Sequence, residues 1–147
     1  MGKNKQLIMK SLVGIFMFIS MLSYSQTANF DARLLIRYNL EELNNLKQTE
    51  PQFVEYLTYK LDHSYFFISI DINTDKVYPM LYEIDYSTKI IQNTQVENVD
   101  PNNFNILKYS IESNPKNRIV YRIGNSGLGL ALYSDNEVVA KFNKSKN

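Results

Sequence analysis

Residues 118–139 read RIVYRIGNSGLGLALYSDNEVV, and this stretch decides the fold. Ile119, Tyr121 and Ile123 alternate with Arg118, Val120 and Arg122. After GNSG, Leu128, Leu130 and Leu132 alternate with Gly129, Ala131 and Tyr133. Alternation with a period of two is the signature of a half-buried strand, and a Gly/Asn tetrapeptide between two such runs supplies the positive φ of a hairpin turn. Ser134 and Glu137 then form a capping box that starts a short helix through Val138, Val139 and Phe142.

Upstream, FNILKYSIE (104–112) alternates in the same sense. Leu107, Tyr109 and Ile111 share one face, Lys108, Ser110 and Glu112 the other, and SNPKN turns the chain at Pro115. Three strands in phase predict an antiparallel meander packed on helices. YFFISIDI (65–72) adds a strand with Phe66, Ile68, Ile70 and Ile72 on its apolar face. VYPMLYEIDY (77–86) continues in strand composition, with Pro79 confining it to an edge, a strand start or a bulge. NTQVENVDPNNFN (93–105) reads as irregular connection, and NFDARLLIRY (29–38) as either helix or extended chain.

Two helices precede the strands. Asn39 caps the first, with Glu42 three residues on and Leu40, Leu43 and Leu46 along one face. Thr49 is the expected cap of the second, with Pro51 in its first turn and Gln52 completing the box. Phe53, Leu57 and Leu61 form its expected buried stripe, with Tyr56 and Lys60 beside it. The fold class expected is α+β: N-terminal helices, an antiparallel β-meander and a short C-terminal helix.

The chain opens on MGKNKQLIMKSLVGIFMFISMLSYSQT. Lys3, Lys5 and Lys10 precede an apolar run, Leu12 to Leu22, far shorter than the roughly 20 residues a membrane span needs. Ser23 and Ser25 then stand at the −3 and −1 positions of a cut before Gln26, so residues 1–25 read as a secretory signal peptide. The ending SYSQT resembles the leaders of exported proteins of Bacteroidetes-type bacteria, and the remainder resembles their small, Tyr-rich exported proteins. The resemblance carries no functional residue. It implies export, to the periplasm or the cell surface.

Residues 26–147 suffice for one domain. The leader holds three of the 16 basic residues, leaving 13 against 15 acidic ones, a net charge of −2. A nucleic-acid partner, which calls for a basic surplus, is therefore not expected, nor is a stable membrane span once the leader is gone. With no cysteine, thiol catalysis, Cys-based zinc sites and iron–sulfur clusters are excluded. Eleven tyrosines and no tryptophan suit protein recognition as well as ordinary strand packing.

GNSGLG is neither a nucleophile elbow, since Leu128 follows Gly127, nor a phosphate loop, since it leads into a strand. DINTD offers Asp71, Asn73 and Asp75 as oxygens, yet a calcium loop needs glycine and glutamate where Lys76 and Tyr82 stand. His63 is the only histidine, and a place in the last helical turn suffices to explain it. Glu83 and Asp85 lie about 7 Å apart along one strand face, a spacing compatible with an inverting glycosidase.

No catalytic, cofactor or metal residue is assigned. The function expected is a non-enzymatic exported binding or accessory protein of the cell envelope, working with another envelope or surface protein, as in an export or gliding assembly. The alternative is a small periplasmic hydrolase using Glu83 and Asp85, which would require a deep polar pocket around them. A third reading, an apolar ligand held between helix and sheet, would require an internal cavity. The interaction surface expected is Arg118, Arg122, Gly129, Ala131 and Tyr133, because small residues on a strand mark close approach by another segment. That segment is either the chain's own C-terminal helix or part of a partner.

Overall fold

The structure is a computed structural model that describes residues 29–147 except 74, 75 and 89, with residues 90–94 described as backbone only. The signal peptide expected at residues 1–25 lies outside the described residues, as does Asp75. A 3-10 turn, Ala32–Ile36, opens the described chain. Helices α1 (Leu40–Thr49) and α2 (Pro51–His63) follow, then strands β1 (Tyr65–Ser69), β2 (Tyr82–Asp85), β3 (Ile90–Gln95), β4 (Ile119–Ile123) and β5 (Leu128–Leu132), and helix α3 (Asp135–Ser145).

The architecture is mixed helix and sheet. A three-stranded antiparallel sheet has the order β1-β5-β4, and β2 and β3 form a separate antiparallel pair. The β4–β5 hairpin is as expected, with Gly124 and Gly127 both at positive φ in its turn. The meander is not. Residues 106–112 form no third strand: Ile106–Lys108 is a 3-10 turn capped by the Asn105 side chain, and Tyr109 makes only a single bridge to Glu83. Part of the connection read as irregular is instead strand β3. The third place in the sheet goes to β1.

Register sets the faces. Tyr65 pairs with Leu132 and Phe67 with Leu130, so these aromatics join Tyr121, Ile123 and Ile119 on the core side. Phe66 and Ile68 lie opposite Ala131 and Gly129 on the outer face, reversing the phase expected for this strand. Leu81, buried completely, and Phe104, Tyr109, Val96 and Val99 close over the core face. A second cluster of Leu34, Leu43 and Leu61 joins the 3-10 turn to both helices, and Ile106 packs on both clusters.

The helix ends show how local chemistry and tertiary packing divide the work. Asn39 and Glu42 close a reciprocal capping box on α1, and Ser134 and Glu137 do the same on α3. Thr49 does not cap α2, because it is still helical and its hydroxyl donates to the Asn45 carbonyl. One residue, Glu50, separates the helices. Its N–H closes α1 on the Leu46 carbonyl while its own carbonyl accepts from Phe53. Pro51 forces that break, since it has no N–H to continue α1 and its fixed φ suits the first helical position. Of the stripe expected on α2, Leu61 is buried and Leu57 packs on the helical cluster, while Val54 is buried in place of Phe53, which is exposed. On α1 only Leu43 is fully buried, and Leu40 is exposed. Arg33 binds Asp31 and Asp62, tying the opening turn to α2. Helix α3 packs Phe142 against Tyr56 and Tyr59 of α2, and Lys146 pairs with Glu55. No described helix is long and apolar enough to cross a membrane.

Candidate functional site

The surface expected around β5 is occupied by the chain's own side chains. A Cβ placed on Gly129 would stand 2.8 Å from Ile70 Cγ2 and 3.2 Å from Ile68 Cγ1. The close approach that glycine permits is thus made by β1 and the residue after it. Ala131 is likewise buried, between Phe66 and Val120 in the pairing. Arg122 turns back on its own hairpin, donating to the Gly124 carbonyl at 2.8 Å and to Asn125. Arg118 is the exposed member. Its guanidinium makes a two-pronged pair with Glu137 of α3 and lies 4.9 Å from the Tyr133 ring and 5.8 Å from Phe66. That pairing, with the Ser134 amide, holds the Glu137 carboxyl down at about 2. Lys141 of α3 also lies over Tyr133. The first turns of the helix meet this rim, while the rest of α3 docks on α2.

Of the carboxylate pair, Asp85 is engaged in a local turn. Asp85 accepts from the Ser87 amide at 2.9 Å and the Ser87 hydroxyl at 2.6 Å, forming the turn that leaves β2. Those bonds lower its pKa, the Ser87 hydroxyl most, which is the wrong direction for a general acid. Asn73 donates its amide to Asp71 in another such turn. His63 is the last residue of α2, its ring stacked on Tyr59 with centroids 4.1 Å apart and Nδ1 at 3.0 Å from the Tyr59 carbonyl.

A cleft of about 490 Å³ opens elsewhere, between α2 and the layer that covers the sheet. Helix α2 gives it Leu57, Lys60 and Leu61, its C-cap gives Ser64, and the opening turn and its exit give Leu34, Arg37 and Tyr38. Ile84 and Tyr86 enter from β2 and its turn, while Glu83 and Asp85 are not part of the wall. Residues 106–113 complete it with Ile106, Leu107, Tyr109, Ser110, Ile111 and Ser113. Leu34 and Leu61, both fully buried, and the partly buried Ile106 also belong to the helical cluster, so the floor of the cleft is continuous with that core. Tyr109 stacks flat on Phe104 at 4.8 Å, and burial raises the pKa of its hydroxyl, with a further push from Glu83. Tyr86 donates to the Leu107 carbonyl at 2.7 Å and Ser64 to Lys60, fixing both sides of the cleft. Among the fifteen wall residues there is no carboxylate.

No protein-family model, curated protein sequence or solved structure matches this chain.

Proposed function

We propose that the chain is a non-catalytic binding or accessory domain, exported to the periplasm or cell surface of a bacterium, and that it holds an apolar ligand in the cleft beside α2. The observation that carries this reading is the cleft itself. Its volume lies within the roughly 300–1,000 Å³ range of small-molecule sites, and its wall is mainly aliphatic and aromatic with a few polar groups. The expected outcome with a neutral apolar fluorophore such as N-phenylnaphthylamine is saturable emission enhancement. Ser110→Trp, which fills the cleft, should abolish the enhancement and leave the unfolding curve unchanged. Equal enhancement by this variant would move the ligand elsewhere, and no enhancement by the parent chain would end the reading.

Export rests on the basic start, the short apolar run and the serine pair before Gln26. Intact-mass measurement of protein from the cell envelope should give a chain beginning at Gln26, and a retained Met1 would refute this. A second reading, docking of another envelope or surface protein on the outer sheet face, is favoured by Arg118 lying over both Phe66 and Tyr133. The carboxylate hydrolase is the weaker alternative, because the cleft does not include Glu83 or Asp85.

A further inference from the structure

Resting on the cleft as a ligand site, we infer that its ligand is a single-chain amphiphile with a carboxylate head, of the fatty-acid class, held by Arg37 and Lys60. The four arginines of the chain divide sharply. Arg33 is paired with Asp31 and Asp62, Arg118 with Glu137, and Arg122 with the Gly124 carbonyl and Asn125. Arg37 has no anionic partner among the described residues and lies only over an aromatic face, 6.0 Å from the Tyr38 ring centroid. Lys60 is in the same position, 5.7 Å from the Tyr56 ring. Both cations stand in the wall of the cleft, which contains no carboxylate. In a chain with 15 acidic residues to draw on, two unpaired cations beside a shared apolar cleft call for an anion from outside.

The form of that anion follows from the rest of the wall. An arginine fork matches the two oxygens of a carboxylate, and the bond is stronger where apolar walls exclude water. Tyr38, Tyr109, Ser110 and Ser113 add hydroxyls with no partner among the described residues, while those of Ser64 and Tyr86 are already spent on carbonyls. Leu57, Ile84, Ile106, Leu107 and Ile111 supply aliphatic surface for a tail. A small polar anion would leave that surface unused, and a neutral hydrocarbon would leave the cations unpaired. A two-chain phospholipid overfills a volume of about 490 Å³.

Calorimetric titration of the purified chain tests this with octanoate, decanoate and dodecanoate, each below its micelle concentration, and with dodecanol and dodecylamine as neutral and cationic counterparts. Affinity should rise roughly fourfold for each added methylene, the gain expected for burying it. Dodecanoate should bind about tenfold or more tightly than dodecanol. The double variant Arg37→Gln/Lys60→Gln, with its unfolding curve unchanged, should lose that advantage for dodecanoate and keep its affinity for dodecanol. Equal affinities for dodecanoate and dodecanol that the variant does not alter would overturn the anionic ligand while leaving an apolar cleft. Dodecylamine binding as tightly as dodecanoate would overturn it too. Failure of every chain to bind would refute the cleft reading beneath it.

Discussion

Tyr121→Ala should lower the stability of the domain by about 4 kcal/mol, the middle of the range for truncating a buried aromatic. Tyr121 is 6% exposed at the middle of β4, paired with Leu130 of the central strand and packed in the main core cluster. Its hydroxyl also accepts the Glu112 amide at 2.8 Å, fastening the chain that covers the sheet. Tyr121→Phe removes only this bond and should cost about 1 kcal/mol or less, because Glu112 is exposed and water can replace the acceptor. Urea unfolding followed by circular dichroism measures both. A domain of this size has about 5–15 kcal/mol in total, so the alanine variant should be close to unfolding at 37 °C. A loss below about 1 kcal/mol would mean that the ring is not part of the core.

The second large effect belongs to the hairpin turn. Gly124 has φ +50°, and a Cβ there would stand 2.7 Å from the Glu97 carbonyl oxygen and 2.8 Å from Glu97 Cα. The obstructing atoms are backbone, so relief requires moving the chain that follows β3. Gly124→Ala combines left-handed strain of about 1–2 kcal/mol with overpacking of about 1–3 kcal/mol, giving an expected loss of about 3 kcal/mol. Gly127→Ala separates the two contributions. Gly127 is at φ +71°, but the nearest obstruction is the Ile70 carbonyl at 3.6 Å, so only the strain of about 1–2 kcal/mol should appear. Equal losses at both glycines would show that contact with Glu97 is unimportant.

The parts of this fold legible in the sequence are those whose chemistry is local. GNSG between two alternating runs carries its own turn geometry, and the phase of β4 and β5 follows from it. Asn39 with Glu42 and Ser134 with Glu137 announce helix starts because each box closes within four residues. YFFIS is apolar on both faces, so its sequence does not say which aromatics turn inward. Pairing with β5, far along the chain, decides that Tyr65 and Phe67 do. FNILKYSIE alternates like a strand, yet the Asn105 side chain takes the Leu107 amide and winds the backbone into a turn. Asparagine ahead of an apolar pair was the available signal. The cleft had none. Arg37, Lys60, Ile84 and Tyr109 come from four segments whose meeting is a product of the tertiary fold, and only the tertiary pairing shows that Gly129 on β5 makes room for Ile68 and Ile70.

The pairing of β1 with β5 sets the order in which the domain can be made. Ser69 must wait for Leu128, and Tyr65 for Leu132, so closing the sheet encloses β2, β3, β4 and everything between them. Such a long loop costs entropy before any contact of the pair is gained, which slows folding without weakening the folded state. The β4–β5 hairpin can form by itself, but the edge of β1 stays open, with two phenylalanines and a tyrosine along it, until the hairpin arrives. During synthesis, amino terminus first, this edge spends the interval available to any other extended chain. A folding helper at the exit would have this strand to protect.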